Sequence, residues 1–377
     1  VGTMTPQSQW NANPALRGVG TITLIPPAGT PVDLIQNRAI RSGTIAAYLQ
    51  MRDQDLVRAQ TQLDALAAAM AQALSDKAVP STAVNPVPQA GFDIDTADLL
   101  AGNTITINYT DVTTSTQHTI TLVRVDDPSA LPLPNTATAT ANDTVFGIDF
   151  SGGMASVITQ INTALTGTGM TASNPSGTTL EILDDGAANT VNVDALSAVA
   201  TETSLTAGSA EFPLFTDGAA AYTGAITGTG SQLTGLAARI AVNPLVAADP
   251  SNLIIYQSGT PAGDSTRPDF IYQQLTAAAQ AFSPTTGIGT VTAPFIGSIP
   301  TYLRQFISQQ GEAASSADNL KQGQDVVLNS LQQRFNDASG VNVDEEMANL
   351  LTLQNSYAAN ARVVSAVKDM LDVLMQM

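Results

Sequence analysis

The sequence predicts a multidomain α plus β protein: long heptad-patterned helices, a helical bundle or coiled coil, interrupted by an inserted β-rich α+β domain. Three observations predict it. Residues 43–77 and 301–335 repeat apolar side chains at steps of three and four. Between 91 and 223 the apolar period becomes two, the alternation of a half-buried strand. A last three- and four-step run then continues to Met377.

Residues 1–84 begin the helical framework. ITLI (22–25) and VDLI (32–35) read as strands around the turn-forming PPAGTP. A long helix over 43–77 presents Ile45, Leu49, Leu56, Leu63, Leu66, Met70 and Leu74 on one face, in an alanine-rich background of high helix propensity. The prolines of AVPSTAVNPVPQAG end it, since each removes a backbone donor and fixes φ.

Residues 85–225 form the expected insertion. NTITINY, HTITLVRV, TTLEIL and NTVNV read as strands, separated by turn clusters such as DDPSALPLPN and DDGAAN. A helix over 153–165 would bury Val157, Ile158, Ile161 and Leu165. Residues 226–338 return to the framework. GLAARIAVNPLVAADPSNL reads as a short helix followed by an extended Asn-Pro linker, and DFIYQQLTAAAQAF as a further helix. The helix over 301–335 carries a stripe of Leu303, Phe306, Ala313, Leu320, Val327 and Leu331. NDASGVNVDEE breaks it, and residues 339–377 close the chain as an axial coiled-coil helix starting at Val343 or Asp344. The acids Asp344, Glu345 and Glu346 in its first turn favour the positive end of the helix dipole.

Charge is distributed unevenly. The chain has a net charge of −18, and residues 85–225 hold fifteen acids against one base, Arg124. Such a module stays hydrated and repels its own copies, which suits a part that points outward into water. The deficit of cations argues against nucleic acid and against adhesion to anionic lipid. There is no cysteine, so disulfides and thiolate zinc sites are excluded. No run of ~18 apolar residues predicts a membrane span, and no charged segment followed by an apolar run predicts a cleavable signal, so membrane insertion is not expected.

Reactive constellations fail at the level of residue types. The single histidine, His118, sits in a predicted strand among threonines, where a solvent-facing position is the ordinary outcome. Asp93, Asp95 and Asp98 resemble the start of a calcium loop, but Thr104 stands where its closing glutamate belongs. Asp126-Asp127 and Asp184-Asp185 fall at turns, where aspartate caps backbone donors. GTGSQLTG (228–235) has the wrong spacing for a dinucleotide loop. The expectation is a protein with no catalytic, cofactor or metal site.

The strongest signal is the terminal seam: Leu350, Leu353, Tyr357, Asn360, Val364, Val367, Leu371 and Leu374. It can fold back on 301–335 as an antiparallel hairpin, or face another molecule. Asn360 suits a register-setting polar contact, and Met347, Leu351, Ala358 and Ala361 line a second face. The axial-seam residues are the expected partner-binding set.

The segment SGVNVDEEMANLLTLQNSYAANARVVSAVKDMLDVL resembles the carboxy-terminal signature of the flagellar axial proteins. In that family S-G-V-N-x-D-E-E precedes a helix with L-x-x-x-Q-x-x-Y-x-A-x-A, matched here by 339–346, Gln354, Tyr357, Ala359 and Ala361. SGTIAAYLQMRDQDLVRAQTQLDALAAAMAQAL (42–74) resembles the R-D-centred helix of the hook-associated protein 1 family. GLAARIAVNPLVAADPSNL and GTPAGDSTRPDF resemble that family's later linker. The resemblance implies a non-enzymatic structural protein at the hook–filament junction. Its implied partners are the hook protein, a second hook-associated junction protein, further copies of itself in a ring, and an export chaperone on the terminal helix. It also implies type III export and an extracellular place on the flagellum. The family's amino-terminal A-N-x-N-T-P-G-Y motif has no counterpart near Val1, which implies a chain lacking that axial helix, the natural mate of the seam. The alternative from another class is a carbohydrate- or adhesin-like binding module carried by the insertion.

Overall fold

The computed structural model describes residues 18–27, 29–340 and 342–376. They fall into two compact units, Val1–Gln309 and Gln310–Met377, and the architecture is mixed α plus β.

The first unit opens on a two-strand antiparallel clip, β1 (Thr23–Leu24) and β2 (Val32–Asp33). Asp33 Oδ1 holds it by accepting from Thr21 Oγ1 and from the N–H groups of Ile35 and Gln36. The long helix follows as α1 (Gly43–Gln50), a π-helical turn (Met51–Asp55) and α2 (Leu56–Ser75). The π turn was not expected; it places a wider turn in the middle of the rod. Neither α1 nor the π turn buries a residue.

By contrast, α2 is covered on two sides. Ala67, Ala68 and Ala71 pack on Tyr222 and Leu236, while Ala69 and Ala73 pack on Phe282, Ile288, Ile299 and Tyr302. The alanines thus do more than favour the helix: they keep it thin enough for neighbours on both sides to approach.

At Ser75 the chain enters a β-rich module. Its strands are β3 (Asp76–Val79), β4 (Thr82–Val84), β5 (Gly91–Asp95), β6 (Thr104–Asp111), β7 (Thr116–Val125) and β8 (Thr144–Asp149). Then come α3 (Met154–Ala164), β9 (Thr171–Ser173), β10 (Thr179–Leu183) and β11 (Val191–Thr201). One sheet has the order β3-β11-β6-β7-β8, antiparallel except for the parallel pair β7–β8; the other is β4-β5-β10-β9, all antiparallel. Ile94, Leu180 and Ile182 of the smaller sheet share one core with Ile107, Leu122 and Leu196 of the larger, and α3 adds Val157 and Ile161. Gln160 ties α3 to β8 by accepting from Asp149 N–H and donating to Asp149 O. Gly91 lies so close to β10 that a Cβ would sit 1.9 Å from Ile182 O.

The structure departs from expectation in several places. β5 and β8 were not predicted as strands. β11 extends well past NTVNV, because a bulge between Val193 and Ala195 shifts its phase. Val191 is buried before the bulge, and Leu196, Ala198 and Ala200 after it, so simple alternation breaks at Asp194.

After the module come β12 (Phe215–Asp217), β13 (Ala220–Ala221), β14 (Ile226–Thr227), β15 (Gly230–Ser231) and β16 (Ile240–Val242). They form the small antiparallel sheets β13-β12-β16 and β14–β15. The expected Asn-Pro linker is instead the start of a short helix, α4 (Pro244–Ala248). Asn243 caps it by accepting from Leu245 N–H, and Pro244 occupies its first turn, where a missing donor costs nothing. The following helix, α5 (Thr266–Thr276), stops before AQAF, which becomes β17 (Gln280–Phe282), paired with β18 (Phe295–Gly297). Tertiary packing overrides helix propensity there: the Phe282 ring stacks on Tyr302 with centroids 3.7 Å apart.

Buried polar groups fasten these loops. Asp64 on α2 accepts from the N–H groups of Gly235 (2.7 Å) and Ala237 (2.8 Å), the latter within a 3₁₀ turn. Gln62 donates to Thr286 O, and Tyr302 Oη donates to Gln62 O. Arg267, fully buried, donates to the carbonyls of Leu205, Ser209, Ala210, Asn252 and Ile255, with its guanidinium 4.4 Å from the Phe212 ring centroid.

The second unit is helical. α6 (Ile299–Ser339) starts in the first unit, where Tyr302 anchors it, and continues into the second; α7 (Val343–Met375) follows. From Gly311 to Gln376 every described residue is exposed. The antiparallel hairpin that would bury the seam on α6 is therefore not formed.

Candidate assembly surface

The break between α6 and α7 is built by two side-chain choices. Gly340 N–H donates to Asn336 O at 2.6 Å, and a Cβ on Gly340 would lie 2.4 Å from that same oxygen. Only glycine permits so close an approach at the end of α6. Asn342 then caps α7, its Oδ1 accepting from Asp344 N–H at 3.1 Å and Glu345 N–H at 3.4 Å. The acids Asp344, Glu345 and Glu346 occupy the first turn as expected.

All eight seam residues lie on α7 and all are exposed, the apolar ones from 45% at Val367 to 80% at Tyr357. Exposed apolar groups are not confined to the seam. Met347, Leu351, Val363, Met370 and Val373 are exposed on other faces of the same helix. In α6, Leu320, Val326, Val327, Leu328 and Leu331 are exposed as well. A helix that carries apolar side chains all round is built to be surrounded.

The other flagged residues have local roles. His118 is exposed on β7, within 3.0 Å of Thr116 Oγ1, its ring stacked on Tyr109 at 5.2 Å. The aspartates compared with a calcium loop lie partly on a strand. Asp93 faces Glu181 across β5 and β10, and Asp95 accepts from Thr178 Oγ1 and Ala97 N–H. Burial first, and the nearby Glu181 carboxylate second, push Asp93 above the usual aspartate range. Asp127 accepts from the hydroxyl and N–H of Ser129 and from Gly228 N–H, and Asp184 accepts from the N–H groups of Ala90 and Gly186. Among the described residues no group of three or more His, Asp or Glu is arranged to hold a metal ion, and no helix is long and apolar enough to cross a membrane.

Sequence reasoning missed one group of interest. Asp76, at the junction of α2 and β3, accepts from Thr201 Oγ1 at 3.1 Å, and Thr201 is in turn bound by Asn103. Burial pushes the Asp76 carboxyl up to about 7, against the lowering effect of its hydroxyl donors. Nothing in the local pattern of DKAV marks it, because its partner Thr201 lies 125 positions away in the sequence.

Comparison with known proteins adds one finding. Residues 332–377 match the family described as flagellar basal body rod FlgEFG protein C-terminal. The match spans the end of α6, the Gly340–Asn342 break and α7. No curated protein and no solved structure matched the chain. The family is a structural one, so the match supports a structural component of the bacterial flagellum, associated with other axial proteins of the rod and hook class.

Proposed function

We propose that this protein is a hook-associated junction protein, joining the flagellar hook to the filament and assembling through coiled-coil packing of α7. The observation that carries this reading is the exposed apolar surface of α7 within the matched segment 332–377. Each seam leucine or valine contributes on the order of 1.5–3 kcal/mol when fully buried, before the cost of ordering and association is subtracted. Leu350, Leu353, Tyr357, Val364, Val367, Leu371 and Leu374 are the contacts, and Asn360 sets the register. The hook protein, a second junction protein and neighbouring copies in a ring are the partners, with an export chaperone on α7 before assembly. The acidic module of residues 85–225 faces outward from the axis, and the chain reaches the cell exterior by type III export.

Two experiments test this. In a strain lacking the protein, electron microscopy should show hooks without filaments, with filament subunits in the medium. In a complemented strain, Leu353→Asp plus Val364→Asp should abolish incorporation while the purified chain keeps its β-sheet circular dichroism. Filaments of normal number in either strain would refute the assignment.

A further inference from the structure

The β-rich module leaves the framework and returns to it at one place. Ser75–Asp76 and Thr201–Glu202 are the two crossings, and they run side by side. Thr201 lies opposite Asp76 in the β3–β11 pair, and Glu202 N–H donates to Ser75 O at 2.7 Å. Away from that point the hairpin β14–β15 reaches from the framework onto the module. Ile226 packs against the cluster of Val123, Val125, Leu133 and Val145, and Gly228 N–H donates to Asp127 Oδ2 at 2.8 Å. We propose that this hairpin is a latch: it holds the module against the framework, and its release lets the module pivot as a body on the paired strands at Asp76 and Thr201.

Three observations carry this. The cores are separate: every buried residue of the module core lies between Ile94 and Ala200, and the two clusters that cover α2 draw on the framework alone. Of the four hydrophobic clusters among the described residues, only the one with Ile226 takes side chains from both. Bodies with their own cores move relative to one another unless a large apolar interface joins them. Between hinge and latch, moreover, the boundary is backbone on backbone. Gly102, at φ +94°, comes so near that a Cβ would sit 2.4 Å from Ala225 N and from Gly224 C. Such a seam fits closely without burying a large side chain, so it adds little hydrophobic stabilisation. The latch itself is thin. Thr227, Gly228, Thr229 and Gly230 are exposed, and a two-strand hairpin is marginal without a surface to lie on. Segments with few buried contacts are the first to open. Asp127 supplies the catch: its Oδ1 accepts from the N–H and hydroxyl of Ser129 in the 3₁₀ turn Pro128–Ala130, which leaves Oδ2 for Gly228.

The latch uses no residue of α7, so it stands or falls apart from the junction reading. A Cβ on Gly228 would lie 2.1 Å from Ser129 Oγ and 3.0 Å from Ser129 Cβ. Gly228→Leu is therefore a wedge that lifts the hairpin. Gly228→Cys plus Ser129→Cys is a lock, close to disulfide spacing in a chain that has no other cysteine. In the full 377-residue chain, amide hydrogens of β14–β15 should exchange about tenfold faster in the wedge than in the parent. They should exchange more slowly in the oxidised lock until it is reduced, with β6, β7 and α2 unchanged throughout. Spin labels on Ala155→Cys in α3 and Gln273→Cys in α5, both exposed positions, should show a shifted and broader distance distribution in the wedge. An unchanged distribution in a wedge whose hairpin exchanges faster overturns the pivot. Unchanged hairpin exchange in the wedge, or cysteines that do not join in the lock, overturns the latch. If the wedge also speeds exchange of β6 or β7, the module itself has loosened. Ile226→Ala then replaces it, with the same two readouts and the same refuting results.

Discussion

Asp76 is the residue at which helix becomes module. Its half-buried carboxylate lies beside Thr201, whose backbone ends the last strand of the same module. With an ordinary unfolded value near 3.9 and a folded value of about 7, the protonated form favours the fold. Stability from this group is therefore fully present below about pH 4 and is lost as pH rises towards 7, by about 4 kcal/mol over the whole window. Asp95, Asp111 and Asp127, held low chiefly by hydroxyl and backbone donors, act in the opposite sense, but only as pH falls into the ordinary carboxylate range or below. The melting temperature should consequently rise between pH 8 and pH 5, and Asp76→Asn should remove most of that rise; an identical slope in the variant would refute the assignment. Asp64 makes a second residue-scale prediction. Its removal leaves the N–H groups of Gly235 and Ala237 without their charged acceptor inside the protein, and Asp64→Ala should cost about 2–3 kcal/mol in urea unfolding. Neither aspartate stands out in the sequence, because burial of a single acid is a property of the neighbours that cover it.

The elements divide by how local their causes are. α7 and α3 stand where their spacing predicts, since caps and periodicity lie inside each segment. Asn342→Ala should lower the helicity of the terminal unit, at a cost of about 1 kcal/mol, because two N–H groups lose their acceptor. Circular dichroism across a thermal ramp measures it. β6, β7 and β10 were likewise legible from alternation. β11 was only half legible, because its bulge reverses which residues face the core. α5 ended early and β17 formed for a non-local reason, the stacking of Phe282 on Tyr302. α4 was hidden by its own brevity: Asn-Pro reads as a linker until its cap geometry is seen.

For the whole molecule, two units differ in what holds them. The first has continuous cores around α2 and inside the module; the second, from Gly311 on, buries no described side chain. Amide hydrogens of α7 and of α6 beyond Gly311 should exchange near the unprotected rate in the isolated chain and become protected on assembly, while β6, β7 and β11 stay protected in both states. Slow exchange of α7 in the isolated chain would contradict this. The amino-acid sequence by itself determined the mixed architecture, the acidic character of the module and the terminal seam with its Gly340–Asn342 break. Each rests on composition or on spacing within one segment. Only the tertiary structure decided that the seam finds no mate on α6, that α2 is covered on both sides, that Asp64 and Arg267 are buried, and that Asp76 is half-buried. Those outcomes depend on which distant surfaces meet, and contact between distant segments leaves no periodic trace in either one.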